Sequence, residues 1–505
     1  MTGKQIDLVE VMVDDFQRGM QSGQYTARSI CEGYVARIKA LDKQGPALNS
    51  VIELNPDALP IADELDREYK QTGSRGPLHG IPVLLKDNID TGDRMMTTAG
   101  SLALEGAPAP KDAFLVEQLR NAGAIILGKA NLSEWANFRA SHSVSGWSGR
   151  GGQTHNPYVL DRNPCGSSSG SAVAVAANLC AIAVGTETDG SIVCPSAMNG
   201  IVGIKPTLGL LSRTGIVPIA HSQDTPGPMA RTVRDAAILL NVLTGIDPND
   251  STTREQIAHV AADYTQFLDA RGLQGARLGI ARTYFGTNDA VDKIIEDSIA
   301  EMKRQGADII DPIDYPSHEK LNESELEVLL YEFKADLNAY LKNRGDSVRV
   351  RSLSDIITFN EEKRTEEMPF FGQDIMIKAD KKGPLTETAY INALARNRQL
   401  CRTEGIDATI MKYHLDAIVA PTAGPAWLTD WITGDHESGS CSTPAAVAGY
   451  PHITVPAGFV HGLPVGISFF STAWSEPTLL KLAYSFEQAT KVRKIPNFLQ
   501  TAVYQ

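Results

Sequence analysis

Twice in this chain an amphipathic helical run stops on a glycine and passes at once into a short apolar run. The first is "AFLVEQLRNAGAIILGKAN", which predicts a helix, a stop at Gly123 and a strand ending near Lys129; the second is "VDKIIEDSIAEMKRQGADIID". A third strand is predicted in "GIPVLLKDNID", where an apolar run between Gly80 and a polar turn delivers Lys86 at its end. Alternation of this kind restricts the chain to an α/β architecture, in which helices pack on a sheet of parallel or mixed strands. Near the start, "TARSICEGYVARIKALD" adds an amphipathic helix with Thr26 as N-cap and Ile30, Tyr34, Ile38 and Leu41 on one face.

The apolar run Ser171 to Gly185 is too short for the roughly 20 residues a bilayer span requires, so it reads as a buried helix running into a strand. From about 318 to 405 the chain turns charged and helical, in "ESELEVLLYEFKADLNAYLKN" and "EEKRTEEMPFFGQDIMIKAD", and reads as an inserted helical region. Strand-like runs return in "LDAIVAPT" and "PHITVPAG". The expectation is a single large domain over residues 1–505: a central mixed β-sheet covered by helices on both faces, core motifs within 75–240, the insertion covering the pocket, and the sheet completed by about 415–490. With 42% hydrophobic residues in 505, the chain is able to bury such a core.

A formal charge of −13 argues against nucleic acid or an anionic membrane as partner. The six cysteines (Cys31, Cys165, Cys180, Cys194, Cys401 and Cys441) are far apart and form no CxxC, so reduced thiols are expected. The N-terminal stretch carries acidic residues and no export signal; the chain as it stands reads as cytoplasmic, or as periplasmic or secreted if a signal has been removed.

Two serine-bearing stretches carry the chemistry. In "GTETDGSIVCP", Ser191 follows an aspartate and a glycine. In "PCGSSSGSAVAVAAN", residues 166–170 match the G-x-S-x-G elbow with Ser168 in the nucleophile position, but the preceding "HNPYVLDRNPCG" reads as loop where an elbow needs a strand. The competing reading is a turn capping the helix that starts near Ser171. A serine nucleophile needs a base, and none of the ten histidines has a spacing that singles it out. A desolvated lysine serves as well, and Lys86 is placed for that; Lys129, ending the next strand, is indistinguishable by periodicity.

Taken together, "HGIPVLLKDNID", "LGKANLSEW", "CGSSSGSAVAVAA", "GTETDGSIVCPSAMNGIVGIKPT", "SQDTPGPMART" and "AGYPHITVP" resemble the amidase signature family over about residues 20–490. The resemblance implies a Ser-cisSer-Lys triad in which Ser191 is the nucleophile, Ser167 the bridge across a cis Gly166–Ser167 peptide, and Lys86 the base. It implies an oxyanion hole from the backbone N–H groups of Thr188, Asp189, Gly190 and Ser191, and release of ammonia through an acyl-enzyme. It requires no cofactor and no metal.

Many members of the family read "GGSIR" where this chain has Asp189 and Val193. That departure counts against a small-dicarboxylate monoamidase or an amidotransferase glutaminase subunit, since the missing arginine binds a substrate carboxylate. The surrounding stretches are similar to those of bacterial peptide amidases, which implies action on C-terminal peptide amides, with a broad aliphatic or aryl amidase as the alternative. The expected partner is a small or short peptide amide, without an obligatory protein partner. Asp189 either holds its turn by an Asx-type bond or merely tolerates the turn's dihedrals, and Trp135 and Trp147 either line a peptide groove or belong to the core.

Overall fold

The computed structural model describes residues 7–106, 108–315, 321–345 and 348–504. Its strands are β1 (Val51–Leu54), β2 (Pro82–Lys86), β3 (Ile125–Ala130), β4 (Trp147–Ser148), β5 (Gly152–Gln153), β6 (Ile182–Glu187), β7 (Val202–Lys205), β8 (Thr225–Ala230), β9 (Arg277–Ile280), β10 (Asp308–Ile310), β11 (Ala417–Pro421), β12 (His452–Val460) and β13 (Leu463–Phe470). Among the described residues, β4 and β5 pair alone, and the other eleven form one sheet in the order β1-β3-β2-β6-β8-β7-β12-β13-β11-β9-β10. The sheet is mixed: β2 runs parallel to β3 and β6, β9 runs parallel to β10 and β11, and the intervening pairs are antiparallel. Helices flank it, and a continuous apolar core joins both halves, from Leu84, Ile126 and Ala183 to Leu278, Val419 and Ile467.

The predicted elements form for the predicted reasons. Thr26 Oγ1 accepts the Ser29 N–H at 3.1 Å and opens the helix Ala27–Arg37. The helix Phe114–Asn121 ends before Gly123, whose φ of 78° is one that only glycine adopts without strain, and β3 follows. The helix Asp289–Arg304, Gly306 and β10 repeat the pattern. The run from Ser171 is a fully buried helix, Ser169–Ala176, followed by β6.

Among the described residues between β10 and β11, helices predominate, with Asn322–Asn343 the longest element. Leu329, Phe333 and Leu337 of that helix pack with Ala99, Trp135, Phe138 and Ile219 in a second apolar cluster, which fastens the helix to loops beyond the carboxyl ends of β2 and β3. No helix of the described residues is long and apolar enough to cross a membrane.

Candidate active site

Three parallel strands, β3, β2 and β6, end side by side, and open sheets bind ligands at such carboxyl edges. Because Pro82–Leu85 is wholly apolar and buried, β2 drives its last residue, Lys86, into the protein with no exposed surface. The Lys86 ammonium nitrogen lies 2.7 Å from Ser167 Oγ, 2.9 Å from Thr186 Oγ1 and 3.1 Å from the Thr186 carbonyl. Burial pulls its pKa down to about 7, against the opposing pull of the Asp224 and Glu187 charges.

Ser167 sits on a turn whose Gly166–Ser167 peptide bond is cis, and its carbonyl accepts the Ser133 N–H at 3.0 Å. Ser191 follows β6 on a second turn. Glu187 closes that turn by accepting the N–H groups of Ile192 and Val193 at 2.8 and 3.0 Å, as the short helix Val193–Met198 begins. Gly190 has φ 76°, and a Cβ there would stand 3.1 Å from Ser442 Oγ, so the turn needs glycine both for its dihedral and for space. Among the described residues, the N–H groups of Thr188, Asp189, Gly190 and Ser191 have no acceptor within the protein.

Ser167, Ser191 and this turn line one cavity of about 290 Å³, together with Phe138, Ile219 and Leu329. Its ionisable lining groups are Asp189, Asp435 and Glu437, with no lysine, arginine or histidine among them. A larger cavity of about 670 Å³ adjoins it, sharing Ala136, Thr188 and Ile219, but contains neither serine; its arginines, Arg213 and Arg344, are paired with Asp250 and Asp90.

Ser168 is fully buried: its hydroxyl donates to the Thr186 carbonyl at 3.0 Å and accepts the Thr186 N–H at 3.2 Å. It is neither presented to the cavity nor a side-chain cap of the helix at Ser169, which corrects the capping reading. The hydroxyl pins that helix to β6 instead. Lys129 donates to the Ile89 carbonyl at 2.6 Å and to Thr97 Oγ1 at 2.8 Å, away from both serines. Trp135 and Trp147 are buried and do not line the cavity; Trp147 packs edge-on against Phe370 and Phe371.

Two expectations need correction. Cys165 and Cys194 form a disulfide, with Cα atoms 6.3 Å apart, whereas Cys31, Cys180, Cys401 and Cys441 are free and buried. Their separation along the chain misled, because the helix Ser169–Ala176 and β6 form an out-and-back excursion that returns the chain to its starting edge. The bridge therefore joins the turn carrying Ser167 to the helix that follows Ser191. Asp189 does have a side-chain role, but not an Asx turn: its carboxylate accepts from Ser442 Oγ at 2.5 Å and Thr443 Oγ1 at 2.7 Å.

Sequence reasoning missed Thr186, Asp224, Ser442 and Thr443. Thr186 stands inside the "GTETDG" stretch, but nothing local separates it from Thr188. Ser442 and Thr443 meet Asp189 only through the fold, and nothing local marks them.

An eleven-stranded mixed sheet with buried Lys86 against Ser167 at its carboxyl edge defines a class, and the sequence model of the Amidase family matches residues 29–480. The chain belongs to that family, the amidase signature enzymes, and is a hydrolase of amide C–N bonds. It is 51% identical to the native peptide amidase from Stenotrophomonas maltophilia, with a TM-score of 0.93, covering 97% of this chain and 99% of that one. It is 43% identical to a probable amidase from Arabidopsis thaliana over 97% of this chain and 92% of the relative. It is 33% identical to a glutamyl-tRNA(Gln) amidotransferase subunit from Alkalilimnicola ehrlichii over 97% of this chain and 99% of that relative.

Proposed function

We propose that this chain hydrolyses the C-terminal carboxamide of peptides, with Ser191 as nucleophile, Ser167 as proton bridge and Lys86 as base. The observation that carries the reading is the 2.7 Å contact between buried Lys86 and Ser167 Oγ on the cavity that also holds Ser191. A lysine brought to about 7 is half neutral at ordinary pH and therefore able to accept a proton.

As Ser191 Oγ bonds to the amide carbon, its proton passes to Ser167 Oγ, which hands its own to Lys86 Nζ; a hydroxyl serves because it both donates and accepts. The charge arriving on the carbonyl oxygen meets the unengaged N–H groups of the 188–191 turn. Reverse transfer through the same relay protonates the nitrogen as the C–N bond breaks, ammonia leaves, and water, deprotonated by the same path, hydrolyses the acyl ester. Helix Asn322–Asn343 roofs the acyl side through Leu329.

The acidic cavity supports an amidated terminus over a free acid. A neutral carboxamide enters without repulsion, whereas a carboxylate would meet Asp435 and Glu437 with no cation to offset them. The same lack of a cation, with Val193 where many relatives carry arginine, disfavours glutamine as substrate.

The test is ammonia release by the purified chain from an N-acylated dipeptide amide and from propionamide, with Ser191→Ala as blank. The expected result is strong preference for the peptide amide, lost in the variant. Equal turnover of propionamide would leave the triad and remove the peptide preference.

A further inference from the structure

The 188–191 turn is anchored from behind by four side chains of remote origin. Thr188 Oγ1 donates to Asp224 at 2.6 Å, Gln223 Nε2 donates to the Thr188 carbonyl at 3.2 Å, and Asp189 takes the hydroxyls of Ser442 and Thr443, one on each oxygen. A fifth group completes this shell. Glu325, in the first turn of the helix Asn322–Asn343, is buried, accepts the other Gln223 Nε2 hydrogen on Oε1 at 2.9 Å, and hydrogen-bonds Asp189 with its carboxyl group.

Two carboxyl groups in hydrogen-bond contact cannot both be ionised, and one must carry the shared proton. The surrounding donors decide which. Asp189 already accepts on both oxygens, the pattern of a carboxylate, whereas Glu325 accepts on one oxygen and leaves the other for the proton. Burial raises both groups, but the Ser442 and Thr443 hydroxyls and the Lys205 charge hold Asp189 back, whereas the Asp189 charge pushes Glu325 further, to well above the ordinary carboxyl range.

Resting on the reading of this turn as the oxyanion hole, we propose that Glu325 is a positioning residue for amide hydrolysis: as a neutral acid it donates to Asp189 and clamps the turn to the helical roof. The clamp fixes the N–H groups in place before the substrate arrives, which is what makes such donors effective. Ionisation of Glu325 would set two negative charges against each other and release the turn. The groups facing the pair are Cys401 from the segment Gln399–Ile406, Cys441 just before Ser442, Lys205 at the end of β7, Glu187 at the end of β6, and Glu437 on the cavity rim. Burial pulls Lys205 down to about 8, and it is the one nearby cation among them, so the variants must separate its effect from that of Glu325.

The experiment measures kcat and KM for the acylated dipeptide amide from about pH 6 to about pH 10 in the wild type, Glu325→Gln, Glu325→Ala and Ser191→Ala, with circular dichroism to confirm folding. Glutamine keeps a donor for Asp189 and an acceptor for Gln223 but does not ionise. The expected results are a kcat for Glu325→Ala lower by about 10- to 100-fold with KM within about threefold, and a Glu325→Gln enzyme within about threefold of wild type at neutral pH. The wild type is expected to lose kcat on the alkaline side and Glu325→Gln to keep it, although Lys205 is intact in both; a wild type with no alkaline fall overturns the proposal. An alkaline limb unchanged in Glu325→Gln overturns the proposal, and that comparison stands even if Glu325→Ala fails to fold. So does a Glu325→Gln enzyme as impaired as Glu325→Ala. Activity surviving in Ser191→Ala would overturn the underlying reading, a result visible independently of either Glu325 variant.

Discussion

Lys86 and Lys129 end neighbouring parallel strands, both wholly buried, yet they live in different chemistry. The register explains how they come apart. Lys129 lies opposite Leu85, and Lys86 lies opposite Ala130, so a one-residue offset sends the two side chains to opposite faces of the sheet. On one face Lys86 finds two hydroxyls, Ser167 and Thr186, with Asp224 and Glu187 as its carboxylate neighbours. On the other, Lys129 finds a carbonyl and Thr97, with Asp87, Asp90, Asp93 and Glu53 around it. Burial lowers both, but the carboxylates on the second face favour a charged lysine. Burial alone therefore does not make a base of a lysine; the company it keeps does.

The comparison breaks most decisively at Lys86. Lys86→Met is expected to lower kcat/KM by about ten-thousand-fold, as Ser191→Ala does, because members of one relay fail together. Ammonia release by the folded variants checks this, and a double variant no worse than either single one would mark them as a unit. Lys129→Met is expected to act on the other axis. It removes a cation from beside buried Asp87 and costs about 3 kcal/mol of stability, read by urea unfolding, with kcat of the folded fraction within about tenfold of wild type. Equal catalytic losses at the two lysines would abolish the distinction.

How far this contrast was legible in the sequence follows from the same residues. The apolar run before Lys86, the glycine stop at Gly123 and the return of strands after 415 announce the sheet, because side-chain periodicity and backbone punctuation are local properties. The triad positions were legible only through resemblance: periodicity gives Lys86 and Lys129 the same description, and their separation depends on inter-strand register. The Cys165–Cys194 bridge and the Ser442 and Thr443 contacts to Asp189 were illegible for a related reason, since each joins segments that only the folded topology brings together. Val193 and Glu437 gave the sharpest substrate argument, yet one was visible as a departure from a motif and the other only once it lined the cavity.

Protonation sharpens the comparison further. With its folded pKa at about 7, Lys86 is expected to give kcat/KM an acidic limb that rises with pH through about 7, below the alkaline fall expected from Glu325. The linked effect on stability has a defined sign. The unfolded chain holds a proton on this lysine up to about 10.5, whereas the folded one releases it from about 7, so within that window the unfolded state binds more protons and the contribution of Lys86 to stability rises with pH. Below the window both states are protonated and the contribution is flat. Subtracting the unfolding curves of Lys86→Met from those of the wild type isolates the slope; a difference that does not grow between about pH 7 and about pH 10 would rule the shift out.

The smallest expected effects come from the matched hydroxyls. Thr186 Oγ1 and Thr97 Oγ1 each lie within 2.9 Å of a buried ammonium, so threonine to valine removes a comparable ammonium contact on each face, along with one neutral hydrogen bond (from Asn88 Nδ2 to Thr186, from Thr97 to the Ile89 carbonyl), and nearly conserves volume. A hydrogen bond to a charged group contributes about 1.5 kcal/mol, which corresponds to roughly one pH unit if it acts on a titration. Thr186→Val is expected to move the acidic limb of kcat/KM down by about that much, because it is the protonated Lys86 that loses a partner. Thr97→Val is expected to cost about 1.5 kcal/mol of stability and to leave the limb where it is. If the two substitutions shifted the limb alike, Lys129 would be coupled to the reaction and the two faces of the sheet would not be independent. If only Thr186→Val does so, the titrating base lies on the Ser167 face, and the assignment of Lys86 rests on a measurement that leaves every member of the relay in place.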